Sequence, residues 1–86
     1  MYEASYSEEI TRKLKKLKRR DSSQYEAVSR KIKQILENPE HRYKELRYEL
    51  GGVCRVHIGH FVFVFVVDYD KEIVSFEDYD HHDKIY

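Results

Sequence analysis

Apolar residues recur at helical spacing in the first part of the chain. Ile10, Leu14 and Leu17 follow one another at intervals of four and three residues. Ser7, just before them and followed by two glutamates, is a typical N-cap, because its hydroxyl can accept a hydrogen bond from the first helical turn. The pattern predicts an amphipathic helix that ends near Arg20.

A second helix is predicted after a short break. Ser23 and Glu26, three residues apart, form a capping box at its start. Its apolar face is predicted to comprise Tyr25, Val28, Ile32, Ile35 and Leu36. Pro39 disfavours helical conformation in Asn38 and therefore ends this helix. Residues 2–6, ahead of the first helix, alternate well enough for a short strand.

Beyond residue 43 the pattern changes to strands. The predicted strands are 46–50, 53–58, 61–67 and 72–76. Because turns of two to four residues join them, we expect consecutive strands to pair as an antiparallel meander. The expected fold class is α+β, a single domain over residues 1–86. Its N-terminal strand and helical hairpin would pack on an antiparallel sheet of four to five strands.

Alternation along the strand 53–58 separates two faces. Cys54, Val56 and Ile58 form an apolar face that we expect to lie against the helices. Arg55 and His57 share the opposite face. The next strand, 61–67, is apolar on both faces, which indicates a central strand whose second face is covered by a tail or a partner.

Composition excludes several classes of protein. The chain has 86 residues, of which 41% are hydrophobic and 37% charged, too apolar for a disordered chain and too charged for a membrane protein. The longest apolar run, 61–67, is far shorter than the roughly 20 residues that span a bilayer. Cys54 is the single cysteine, so no intramolecular disulfide can form, and we expect a cytoplasmic protein.

The net charge of zero is unevenly distributed. Residues 1–43 carry 11 basic and 7 acidic side chains, a balance of +4, whereas residues 44–86 carry 5 and 9, a balance of −4. Seven of the nine residues from Arg12 to Arg20 are cationic, without interleaved acids. Such a helix is either a solvated surface or a contact for nucleic-acid phosphates.

Histidines concentrate near the end of the chain, at positions 57, 60, 81 and 82. Three interpretations remain open. Cys54, His57 and His60 could suggest zinc, but residues three apart on a strand point to opposite faces. The histidines could instead be solvated or hydrogen-bonded without chemistry. The third interpretation is general acid–base catalysis, because the imidazole pKa lies near neutrality.

The order of these elements resembles the RelE/ParE toxins of bacterial and archaeal toxin–antitoxin systems, over nearly the whole chain. The resemblance rests on Asn38-Pro39, on Leu-Arg-Tyr-Glu-Leu-Gly-Gly-Val-Cys-Arg-Val-His-Ile-Gly over 46–59, and on His-Asp-Lys-Ile-Tyr over 82–86. It implies a RelE-like, microbial ribonuclease-type fold. Members of the RelE branch are messenger-RNA endonucleases of the ribosomal A site, held inactive by an antitoxin. The resemblance therefore implies a RelB-like antitoxin, the ribosome and messenger RNA as partners, a toxin–antitoxin hetero-oligomer, and no metal or other cofactor.

The resemblance also implies catalytic residues. Arg55 and His57 match a basic pair of the family, His82 takes the place of the tail's usual arginine, and Tyr86 matches its tyrosine. Val62 stands where the RelE branch usually has an arginine. Tyr86 or His82 would serve as acid or base, Arg55 would stabilise the phosphate, and His57 is a further candidate. The implied contacts to RNA or the ribosome are Arg12, Lys13, Lys15, Lys16, Arg19, Arg20, Lys44 and Arg47.

Two other functions stay open. The protein could be a ParE-like inhibitor of DNA gyrase that cleaves nothing, or an inactive module that only binds its antitoxin.

Overall fold

A computed structural model of the chain describes residues 1–39, 44–45, 52–81 and 83. Within them the elements run in the order β1 (Glu3–Tyr6), α1 (Glu8–Arg20), α2 (Ser22–Glu37), β2 (Lys44–Glu45), β3 (Val53–Ile58), β4 (Phe61–Asp68) and β5 (Ile73–His81). The strand predicted at 46–50 and the first residue of the predicted turn at 51–52 lie outside the described residues.

The strands form one sheet in the order β1-β5-β4-β3-β2. As predicted, β3, β4 and β5 pair antiparallel in chain order. The short β2, which lies just ahead of the predicted strand 46–50, pairs antiparallel with β3. The β1 strand differs, because it joins the sheet parallel to β5, with Glu3 opposite Ile73 and Tyr6 opposite Phe76. The helical hairpin separates β1 from the meander in sequence and allows this parallel edge pair, so the sheet is mixed. The predicted α+β class, a helical hairpin on a sheet, is confirmed.

Side-chain caps fix where the helices begin. The Ser7 hydroxyl accepts a hydrogen bond from the Ile10 amide at 3.1 Å, as the sequence predicts. The predicted start of α2 at Ser23 is wrong. Asp21 is the N-cap, and its carboxylate accepts from the Gln24 amide at 3.1 Å. Aspartate is as good an N-cap as serine, so the helix begins directly after Asp21 and not after Ser23.

The core lies between the helical hairpin and one face of the sheet. Its fully buried members are Ile10, Val28, Ile35, Phe63, Phe65, Val74 and Phe76. The predicted alternation of β3 is confirmed, since Ile58 is buried and Cys54 and Val56 pack against the core. On the other face of β4, Val62 is fully buried, while Val64 and Val66 are half-buried.

The last strand is longer than predicted and contains a bulge. The sequence predicts that it ends at residue 76, but it continues to His81. Val64 pairs with Asp78 and Phe65 with Phe76, which leaves Glu77 as an extra residue on β5. The Ser7 hydroxyl donates to the Glu77 carbonyl at 2.8 Å. The first helix cap therefore also satisfies a main-chain group at the bulge.

Candidate functional site

The side chains of Arg55 and His57 lie on the face of β3 opposite the helices. Arg55 is half-buried and His57 is exposed. They are two residues apart on one strand, which places their Cα atoms about 7 Å from each other. The main chain of Lys44 is directly opposite Arg55 in the β2–β3 register. The structure therefore brings the predicted basic pair together on one surface.

Four of the other predicted site residues fall partly or wholly outside the described part of the chain. Arg47, His82 and Tyr86 lie outside the described residues, and only the main chain of Lys44 is described. Their roles stay predictions.

Position 62, where the family resemblance implies an arginine, is occupied by a buried valine. Val62 is in register with His57 on one side and Asp80 on the other, and its side chain is fully buried. A valine there cannot contribute charge to the surface of Arg55 and His57.

Lys13, one of the predicted RNA contacts, takes part in an ion-pair cluster that joins α1 to β5. Its Nζ atom donates to Asp78 Oδ1 at 2.7 Å and to Asp80 Oδ2 at 3.0 Å, and it lies 3.6 Å from Glu9 Oε1. Burial by itself would lower the pKa of the Lys13 ammonium, but the hydrogen bonds and charges of the two aspartates outweigh it and raise the pKa above 10.5. The charge of Lys13 is thus compensated within the protein.

The other cations of α1 divide into two groups. Arg12 is paired with Glu9 one turn earlier. Five further cations are exposed and make no ion pair with any described residue; these are Lys15, Lys16, Lys18, Arg19 and Arg20. The uncompensated positive charge therefore lies on the C-terminal half of α1.

Clefts lie on two sides of α1. The first, here called the hairpin groove, lies between α1, α2 and the end of β1 and has a volume of about 380 Å³; it is lined by Tyr6, Thr11, Leu14, Lys15, Lys18, Tyr25, Ser29 and Ile32. Lys18 Nζ lies 5.7 Å from the centre of the Tyr25 ring, a cation–π geometry. Burial, and then the nearby Tyr25, raise the pKa of the Tyr6 phenol.

The second, here called the basic cleft, lies between α1 and the β4–β5 pair. It has a volume of about 440 Å³ and is lined by Lys13, Lys16, Leu17, Arg20, Phe61, Tyr79 and Asp80. The sequence did not predict this cleft, because β5 was expected to end before Tyr79. The signal in the sequence that could have extended this strand is the alternation of the acidic Asp78 and Asp80 with the aromatic Tyr79.

Aromatic rings are arranged in a ladder next to the basic cleft. The Phe61 and Tyr79 rings stack with centroids 5.0 Å apart, and the His81 ring meets Phe61 edge-on at 5.5 Å. His60 stacks with His81 at 6.3 Å. The histidine at position 81 thus belongs to the sheet, beyond the predicted end of the last strand at residue 76.

The Tyr79 phenol is held by α2. Gln24 Nε2 donates to the Tyr79 hydroxyl at 2.9 Å and to the Ile58 carbonyl at 3.3 Å. Burial raises the pKa of Tyr79, the Gln24 hydrogen bond opposes this rise, and the charge of Asp21 adds to it.

The described residues contain no group of three His, Cys, Asp or Glu side chains arranged to hold a metal ion. Cys54 faces the helices while His57 faces away from them, as alternation along β3 requires. Neither helix in the described part of the chain is long and apolar enough to cross a membrane.

Comparison with known proteins identifies the class. The family model described as the ParE toxin of type II toxin–antitoxin systems matches residues 4–86. A protein of Methanocaldococcus jannaschii named "Putative toxin RelE4" is 44% identical over 87 residues, covering all of this chain and 92% of that protein. An uncharacterized protein of Methanosarcina mazei is 46% identical and is covered in full, as is this chain.

Among solved structures, the toxin–antitoxin complex RelBE2 from Mycobacterium tuberculosis is similar in fold. The match has a TM-score of 0.76 and 23% sequence identity, and it covers 94% of this chain and 98% of the other. The fold and the family match together define a small toxin of the type II class. The chain belongs to the RelE/ParE family of toxins of type II toxin–antitoxin systems.

Proposed function

We propose that this toxin is a ribosome-dependent messenger-RNA endonuclease that is neutralised by a RelB-like antitoxin. The observation that carries the proposal is the pairing of Arg55 and His57 on the face of the sheet away from the helices. The name of the M. jannaschii relative, "Putative toxin RelE4", supports it.

The proposed chemistry needs three groups. Attack of a ribose 2′-hydroxyl on the adjacent phosphorus requires a base, a cation for the developing phosphorane charge, and an acid for the leaving oxygen. Arg55 is half-buried, so its guanidinium would act on the phosphate with less competition from water. Tyr86 or His82 would supply the acid and base functions, and His57, about 7 Å along the strand from Arg55, is the alternative group.

The antitoxin is the proposed protein partner, as in the M. tuberculosis structure, which is a toxin–antitoxin complex. The hairpin groove has an apolar floor formed by Leu14 and Ile32 and a basic rim formed by Lys15 and Lys18. An amphipathic helix with acidic flanks would complement such a surface.

Primer extension on messenger RNA tests the proposed activity. We expect new 5′ ends when the toxin is added to translating ribosomes and none on free RNA. Arg55→Gln should reduce cleavage by at least tenfold, whereas Arg30→Gln, which removes an exposed arginine of α2, should not change it. An absence of new 5′ ends with actively translating ribosomes would rule out the nuclease.

The tail residues are tested in cells. His82→Ala and Tyr86→Ala should each abolish growth arrest while the variant protein still co-purifies with its antitoxin. Unchanged toxicity of both variants would remove these residues from the proposed site.

A gyrase inhibitor is the second candidate. Two observations favour it, namely the match to the ParE toxin model and the buried Val62 in place of an arginine. A DNA supercoiling assay distinguishes the two functions, because a gyrase inhibitor would block supercoiling at toxin concentrations that leave messenger RNA intact.

A further inference from the structure

We propose that the basic cleft binds one nucleotide of single-stranded RNA, with the base on Phe61 and a phosphate on Lys16 and Arg20. This inference deepens the proposed function and rests on it, since it assumes that RNA is the toxin's ligand. The cleft lies on the helix side of the sheet, whereas Arg55 and His57 lie on the opposite face. The bound nucleotide would therefore lie apart from the cleaved bond.

The size and floor of the cleft suit a planar ring. Its volume of about 440 Å³ falls within the range of roughly 300–1,000 Å³ typical of small-molecule sites. Phe61 is half-buried, and the stack with Tyr79 at 5.0 Å fixes its ring. Since Gln24 holds the Tyr79 hydroxyl at 2.9 Å, the aromatic floor is ordered before any ligand arrives.

Only one wall of the cleft, the wall formed by α1, carries net positive charge that would bind an anion. Lys16 and Arg20 are four residues apart on α1, so they lie one turn apart on the same face of the helix. Both are exposed and have no ion pair within the described residues. On the opposite wall, Asp80 is bonded to Lys13 at 3.0 Å, so that pair contributes little net charge.

This combination distinguishes a nucleotide from an acidic peptide. A peptide carboxylate could use the two cations but would leave the aromatic floor without a planar partner. A nucleotide uses both, because its base can stack and its phosphate can bind the cations. The Asp80 carboxylate could in addition accept a hydrogen bond from an exocyclic base amine.

Fluorescence anisotropy with the full-length toxin and a labelled ten-nucleotide RNA tests the electrostatic part. The double variant Lys16→Gln/Arg20→Gln should weaken binding about tenfold and reduce the slope of log affinity against log salt by about 0.7, the value for one lost phosphate contact. The matched control Arg30→Gln/Lys33→Gln removes one exposed arginine and one exposed lysine from α2, outside the cleft. It should weaken binding less than twofold, and equal losses in the two variants would overturn the proposal.

The stacking part is tested by Phe61→Leu, which keeps an apolar side chain but removes the ring. Loss of stacking worth about 1–3 kcal/mol should weaken binding at least fivefold and leave the salt slope unchanged. Because this variant could also perturb folding, the wild-type toxin is crosslinked to RNA that carries 4-thiouridine, and the attached peptide is mapped by mass spectrometry. Crosslinks located by fragmentation to Phe61 itself support the cleft, and crosslinks confined to other residues refute it.

Competition distinguishes the two ligand classes. A nucleoside monophosphate should displace the labelled RNA more effectively than a glutamate-rich peptide, and the reverse order would assign the cleft to a protein partner instead.

The proposal that the cleft binds a nucleotide can be refuted independently of the proposal that the toxin is a nuclease. Crosslinks at Phe61 without ribosome-dependent cleavage would refute only the proposed nuclease activity. If cleavage is unchanged in Phe61→Leu and in Lys16→Gln/Arg20→Gln, and no crosslinks form at Phe61, only the proposed nucleotide site in the cleft is refuted.

Discussion

Replacing Lys13 by methionine should destabilise the toxin by about 2 kcal/mol. The side chain of Lys13 is 26% exposed, and those of Asp78 and Asp80 are 41% and 28% exposed. Fully exposed ion pairs contribute about 0.2–1 kcal/mol, and hydrogen bonds to charged groups in shielded sites about 1.5–3 kcal/mol. The two contacts of Lys13 lie between these limits, at roughly 1 kcal/mol each, and removing the cation also leaves two carboxylates next to each other.

The loss is measurable by thermal unfolding followed by circular dichroism. In a domain of this size, 1 kcal/mol corresponds to about 4–8 °C in Tm, so Lys13→Met should lower Tm by about 8–16 °C. Lys15→Met is the matched control, because Lys15 lies on the same helix, is exposed and has no ion pair within the described residues. Equal shifts in the two variants would refute the reasoning. Lys13→Arg should recover most of the lost stability.

The same cluster predicts the sign of a pH effect. The pKa of Lys13 is raised in the folded state, so folding favours the protonated ammonium. Its stabilising contribution is complete below pH 10.5, the ordinary value, and is lost as pH rises through the folded value. Wild-type toxin should therefore lose more stability than Lys13→Met on going from pH 9 to pH 11.5, and parallel curves would contradict the assignment.

Three further predictions concern single side chains. Ser7→Ala removes both the cap of α1 and the hydrogen bond to the Glu77 carbonyl, and urea denaturation should show a loss of about 1–2 kcal/mol; a loss under 0.3 kcal/mol would contradict it. Gln24→Ala removes the Gln24 donor from two part-buried polar groups and should cost about 1–2 kcal/mol in the same assay, whereas Gln34→Ala, exposed on α2, should cost little. Tyr79 has a raised pKa, so folding favours the neutral phenol, and stability is lost as pH rises above 10.0. A spectroscopic titration should show that Tyr79→Phe removes a tyrosine that ionises above that value, and an unchanged titration curve would refute the assignment.

The local features of the fold could be predicted because they depend on neighbouring residues. The apolar spacing of Ile10, Leu14 and Leu17 is enough to define a helix, since it repeats with the period of the helix itself. The two faces of β3 follow in the same way from alternation, and the basic pair of Arg55 and His57 was placed on one surface correctly. The family resemblance was also visible in the order of these elements.

Contacts between distant segments could not be predicted, because their energy comes from residues far apart in sequence. The charge density of α1 indicated a phosphate contact for Lys13, but only the register of β5 brings Asp78 and Asp80 to within 3.0 Å of its ammonium. The bulge at Glu77 could not be predicted either, since the alternating pattern of β5 changes phase there.

The amino-acid sequence by itself therefore determined the elements, the α+β class, the toxin family and the gradient of charge along the chain. The tertiary structure decided which of those charges remain uncompensated. By neutralising Lys13 and extending β5 past Tyr79, it left Lys16 and Arg20 beside an aromatic floor. The physical reason is that periodicity is a local property of the chain, whereas an ion pair or a cleft exists only where packing brings separate segments together.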